Sequence, residues 1–280
     1  MNEVGIKWYH PGRISVYVLL ILITFLSIFP FYWMFVIGSN TTAAVAKFPP
    51  VMVPGANFIT NAQNVFATIE FFRAIMNSII VSTAITASVL FFCSLAGFAF
   101  AKLEFTGKNK LFIFIIATMM VPAQLGLIPS YMIIAKLGWI NNLNALIVPA
   151  AVNAFGVFWM RQAIMSTIPN ELVDAGRMDG CSNFRIYWNV VLPIIRPSLA
   201  TLGLITFMNV WNDFLWPLVV LKDKASQTIQ LALKTLNGAY YTDFAMVMAG
   251  TFMATIPILI VFLMFSKQFI AGLTEGSVKH

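Results

Sequence analysis

Residues 14–37 run on without a single charged side chain. A helix crossing the hydrocarbon core of a bilayer needs roughly 20 mostly apolar residues. This run is long enough to cross and too long for the apolar core of a signal peptide. The Ala44-Val45-Ala46 triplet resembles a cleavage site, but the length of the run argues for a retained span. Five further runs are long and mostly apolar: about 74–101, 111–134, 143–160, 192–221 and 244–270. The third is interrupted by Pro122 and Pro129. The expected fold is an all-α integral membrane protein of six transmembrane helices with both ends on one side.

Composition excludes the alternatives. Sixty per cent of the residues are hydrophobic and 10% charged, against about 25% charged in soluble domains. Such a chain cannot cover a water-facing surface, which rules out a soluble enzyme and a disordered protein. Cys93 and Cys181 are too few for a disulfide scaffold. The net charge of +7 would suggest nucleic acid in a soluble protein; in a membrane protein it reads as Lys and Arg held at the cytoplasmic face. With the N-terminus inside, the outside segments hold Lys47, Arg73, Lys136, Lys222, Lys224 and Lys234, leaving eleven of the seventeen basic residues inside. Both termini are therefore expected in the cytoplasm. Residues 1–13 form a short N-terminal segment, 14–271 the membrane domain with a long inner connection at about 161–191, and 272–280 a C-terminal tail. The outer segment 38–73 begins with turn signals at Phe48-Pro49-Pro50 and Pro54-Gly55, and 61–72 suits a short surface helix.

The chain lacks the residues for chemistry of its own. Its one Gly-Lys pair, Gly107-Lys108, has neither the preceding glycine nor the following hydroxyl of a phosphate-binding loop. His10 and His280 stand at opposite termini, so there is no metal constellation. No histidine lies in a span and the one aspartate that does is Asp213, which sets intramembrane proteolysis aside. No cofactor is expected in this chain.

The inner connection carries the most information. In Pro169-Asn170-Glu171-Leu172-Val173-Asp174-Ala175-Gly176-Arg177-Met178-Asp179-Gly180, Asn170 suits an N-cap and Glu171 and Asp174 lie where the helix dipole favours negative charge. A short helix to about Met178, a turn at Asp179-Gly180 and a second short helix at about 183–189 are predicted. Leu172, Ala175, Gly176 and Asp179 fall on one helical face, and the small Ala175 and Gly176 would admit close approach by another protein. On residues alone, this is either a docking element or a plain connector.

The spacing Asp174-Ala175-Gly176, three residues, Gly180, nine residues, Val190-x-Leu192-Pro193 resembles the EAA loop of bacterial ABC importer permeases. This chain has Asp174 for glutamate, Gly176 for alanine and Val190 for isoleucine, which keeps charge and size. Trp211-Asn212-Asp213-Phe214-Leu215-Trp216-Pro217 resembles the fifth-span signature of carbohydrate-uptake permeases, Asn77-Ser78 fits the start of the second span, and Gly272-Leu273-Thr274-Glu275-Gly276-Ser277-Val278-Lys279 resembles the tail of the six-span maltose-permease type. The resemblance implies a type I ABC importer permease fold in the bacterial cytoplasmic membrane. It implies a second permease subunit in a heterodimer, two ATPase subunits carrying ATP and Mg, and an extracellular sugar-binding protein. It implies ATPase coupling through Glu171, Asp174, Ala175, Gly176, Asp179 and Gly180, with ATPase contacts from Thr274, Glu275, Gly276, Ser277, Val278 and Lys279.

Polar residues within spans are costly and mark interior or path positions. Gln124, Asn209, Asn212 and Asp213 are the candidates for the translocation path; for Asp213 a structural hydrogen bond is the competing reading, and Asn153 and Gln162 are equally open. Rival functions are an ABC permease for another solute, such as glycerol phosphate or an amino acid, and a secondary transporter, which the scarcity of paired ionisable residues in spans disfavours. A membrane scaffold without a path is the third rival.

Overall fold

The computed structural model describes residues 11–238 and 242–275, with side chains over 14–238 and 242–267. No strand occurs among the described residues beyond an isolated bridge between Asn237 and Thr242. The chain divides into two compact units, one of residues up to Thr68 with Leu236–Met253, the other of Ile69–Thr235 with residues from Ala254 on.

In the first unit, α1 (Pro11–Gly38) ends in a loop that leads to α2 (Phe58–Thr68). The last carbonyls of a helix lack intrahelical partners; here asparagines supply them. Asn61 Nδ2 donates to the carbonyls of Gly38 (2.8 Å) and Asn40 (2.9 Å), and Asn40 Nδ2 to that of Val36 (2.8 Å). Phe35, Phe58 and Phe252 form an aromatic triad with centroids 5.1–5.8 Å apart. A Cβ on Gly38 would lie 2.8 Å from the Ala249 nitrogen, so glycine permits the backbones to meet. Ile14–Ile28 are almost uniformly exposed, an arrangement stable only in lipid.

In the second unit, α3 (Phe71–Lys102) is the central rod. Its stripe Ala74, Ser78, Val81, Ile85, Val89, Cys93 and Gly97 is buried, at the helical spacing that keeps one face turned to neighbours. That face packs on α6 (Ala154–Thr167) and α9 (Arg196–Trp211). A Cβ on Gly97 would stand 2.8 Å from the Arg161 nitrogen, and one on Gly156 2.7 Å from Cys93 Sγ. Small residues at such crossings let dispersion contacts hold helices together where the hydrophobic effect is weak.

The remaining helices are less regular than six continuous spans. α4 (Lys108–Thr118) and the helical stretch Ala123–Lys136, which contains α5 (Leu127–Lys136), meet at 90°. Pro122 sits at that break; it lacks an N–H and disfavours helix in the residue before it. Residues 143–160 are not one helix: the single turn Asn144–Ile147 is separated from α6. Asn153, left open by sequence, caps α6, its Oδ1 accepting from Gly156 N at 2.7 Å. The expected fifth span bends by 79° at Ile195 and stops after Trp211, before the short α10 (Leu215–Val220). The last long helix (Phe244–Glu275) continues past 271, so the expected tail begins inside it. Among the described residues three helices are long and apolar enough to cross a bilayer, and five if each bent pair counts as one crossing.

Candidate functional site

The connection between α6 and α9 folds into α7 (Asn170–Met178), α8 (Asn183–Ile186) and a π-helical turn, Tyr187–Val191. Its predicted turn is present. Gly180 has φ +76°, its N–H donates to the Arg177 carbonyl (2.9 Å), and Cys181 N donates to that of Gly176 (3.0 Å). This crossed pair is the Schellman ending of a helix, which requires a left-handed residue at the glycine position. A side chain at Gly180 would meet nothing within 4 Å, so the demand is on the backbone alone.

Two details differ from the sequence reading. Asn170 is the first helical residue and makes no cap; its Oδ1 instead accepts from Lys102 Nζ at 2.7 Å. Gly176, half-exposed, also serves packing within the chain: a Cβ there would lie 3.0 Å from Ile186 Cγ1. Val173 and Ile186, 2% and 1% exposed, are the apolar anchors beneath α7. The outward face consists of Glu171, Leu172, Asp174, Ala175, Met178 and Asp179, all exposed. Phe184 and Trp188, also exposed, stack beside it with centroids 6.2 Å apart. The surface interleaves three carboxylates with Leu172, Ala175 and Met178, beside the two exposed aromatic rings.

What holds this surface in place was not read from the sequence. Lys102, the last residue of α3, donates from Nζ to the Ile168 carbonyl (2.5 Å) as well as to Asn170. Arg177 Nη2 donates to the Lys102 carbonyl (3.2 Å), and Nη1 to Asp174 Oδ1 (3.0 Å). Both ends of α7 are thus tied to one residue of α3. Nearby, Arg161 stacks its guanidinium 4.1 Å above the Phe112 ring and donates to the Phe100 carbonyl, and Ser94 and Tyr187 share a buried hydrogen bond of 2.7 Å. The one sequence signal for this tie is a lysine ending a long apolar run.

The polar span residues separate into two places. Asn209, Asn212 and Asp213 lie together at the end of α9, whereas Gln124 is exposed in the turn between α4 and α5. The backbone N–H groups of Phe214, Leu215 and Trp216, at the start of α10, lie where they favour the charge of the Asp213 carboxylate. Asn212 Nδ2 donates to the Met208 carbonyl and its Oδ1 accepts from Gln230 at 3.4 Å. Asn209 and Gln162 are exposed. At the end of α3 away from Lys102, Asn77 Nδ2 donates to the carbonyls of Ala225 and Gln227 and Ser78 Oγ accepts from Ile229 N (2.8 Å). Of the expected tail, Thr274 and Glu275 are helical in backbone, and Gly276, Ser277, Val278 and Lys279 lie outside the described residues.

Comparison with known proteins agrees with this architecture. Residues 92–269 match the family described as binding-protein-dependent transport system inner membrane component. The arabinooligosaccharides transport system permease protein AraQ of Halalkalibacterium halodurans is 38% identical over 203 residues, 72% of each chain. The lactose transport system permease protein LacG of Rhizobium radiobacter is 35% identical over 263 residues, 94% of this chain and 95% of its own. Among solved structures, a bacterial ABC transporter involved in the import of the acidic polysaccharide alginate matches with a TM-score of 0.79 at 25% identity, over 94% of this chain and 99% of that one. The fold is therefore that of an ABC importer permease, and the chain belongs to the binding-protein-dependent transport inner membrane family, a transport subunit rather than an enzyme.

Proposed function

We propose that this chain is one of two permease subunits of an ATP-driven importer of sugars, oligosaccharides foremost, in a bacterial cytoplasmic membrane. The relatives named for arabinooligosaccharides and lactose, matched over most of the chain, support the substrate class. The observation that carries the coupling role is the α7 surface: exposed, with Glu171, Asp174 and Asp179 interleaved with apolar residues, and tied firmly to the rest of the chain. A separate ATPase subunit seats α7 in a groove with a basic rim. Two such ATPase subunits, loaded with ATP and Mg, close on each other and carry α7 with them. That movement opens the path alternately to either side. An extracellular binding protein delivers the sugar. Both termini and Gly180 face the cytoplasm, and residues 274–279 reach the ATPase pair. Gln124, Asn209 and Asn212 line the path, and Asp213 fixes where α9 ends beside it. The test is purification of the complex and a survey of labelled mono- and oligosaccharides. A stoichiometric ATPase partner with turnover raised by a sugar-loaded binding protein is expected. Stimulation by glycerol phosphate or an amino acid alone would reassign the substrate.

A further inference from the structure

We infer that Lys102 and Arg177 make α7 and α3 a single mechanical body, so that force received at the ATPase surface enters the membrane through α3; the inference rests on the coupling role proposed for α7. Three hydrogen bonds carry it. Lys102 Nζ holds the Ile168 carbonyl just before α7 and the Asn170 side chain in its first turn, at 2.5 and 2.7 Å. Arg177, in the last turn, reaches back to the Lys102 carbonyl at 3.2 Å while Asp174 holds its other nitrogen at 3.0 Å.

The geometry separates this clamp from ordinary packing. Under α7, Gly176 lies against Ile186. This contact ties α7 to the α8 side of the connection, which is joined to α9 by the Ile195 bend. A bend passes rotation poorly. The polar clamp instead joins α7 to an unbroken helix of 32 residues. α3 also packs closely on α6 at Gly97 and Gly156, and runs along α9. Hydrogen bonds made by charged groups are directional and stronger than neutral ones, so Lys102 donating from the end of α3 and Arg177 donating back to it fix orientation as well as distance. Lys102 and Arg177 are thus positioning residues for coupling.

The experiment uses the complete complex with its ATPase and binding protein in proteoliposomes, measuring uptake and ATP turnover together. Lys102→Met and Arg177→Met keep the apolar stems and remove the donors. Both are expected to retain the ATPase stoichiometrically, to lower coupled uptake at least about tenfold, the scale of losing a hydrogen bond to a charged group, and to lose stimulation of turnover by loaded binding protein. Lys102→Arg, which keeps donors for both acceptors, is expected to recover part of the loss. A second measurement joins Lys102→Cys to Asn170→Cys with a short reversible thiol crosslinker in a Cys181→Ser background. If the two elements move as one, the crosslinked complex restores uptake toward wild type and reduction removes it again. Full coupled uptake in both methionine variants, loss of the ATPase from them, or arrest of turnover by the crosslink would each overturn the inference. Absence of ATP-driven uptake in the wild-type complex would instead strike the proposed function.

Discussion

Gly176 and Gly180 owe their lack of a side chain to different causes. Gly180 holds φ +76° in open space, where a side chain costs about 1–2 kcal/mol through the backbone alone. Gly180→Val should therefore distort the end of α7 and weaken recovery of the ATPase, and Gly180→Asn, which tolerates that conformation, should be milder in the same pull-down. Equal effects would point to side-chain size instead. Gly176 faces Ile186, so Gly176→Trp disrupts the chain itself, while Ala175→Trp at an exposed position disturbs only a partner. The sequence placed both small residues on one helical face, because spacing reports periodicity and not which neighbour fills the space. Asp213 is similar. An acidic residue in an apolar run signals function or structure alike until the backbone N–H groups beside it are seen. Asp213→Ala should destabilise the purified complex by about 1 kcal/mol, the scale of a typical polar interaction, measured by thermal unfolding in detergent. A shift in sugar preference at unchanged stability would assign Asp213 to the path.

α1 and α3 were legible as elements because each is a long uncharged run, and such a run has few solutions in lipid. The bent elements were legible only as breaks. Pro122 announced an interruption, but an angle of 90° depends on what α4 and α5 pack against, which no local pattern contains. Residues 143–160 look like one span by hydropathy, yet the Asn153 cap starts a new helix at Ala154. The α7 helix and its glycine turn were readable from capping and turn chemistry, whereas the tie to Lys102 joins residues 68 and 75 positions apart and left no sequence signal. The glycine crossings yield a prediction at this scale. Gly97→Leu forces α3 away from the α6 backbone, and overpacking of this kind costs about 1–3 kcal/mol. Lowered thermal stability is expected, with Gly126→Leu, in a turn with room around it, close to neutral. Equal stability of the two variants would mean that the crossing relaxes without cost.

For the whole molecule, composition decided membrane against water, and the spacing around Gly180 decided which kind of membrane protein. A permease of this kind depends on an energy source outside itself. A secondary transporter would use an ion gradient and need no seat for a partner. The most direct test is uptake of a labelled oligosaccharide into proteoliposomes holding the complete complex, with ATP and without, for wild type and Ala175→Trp. Uptake should require ATP hydrolysis in the wild type. It should fall to background in Ala175→Trp while this chain stays inserted in the membrane. Uptake that ignores ATP and follows an imposed ion gradient, or that proceeds undiminished in Ala175→Trp, would contradict coupling through α7.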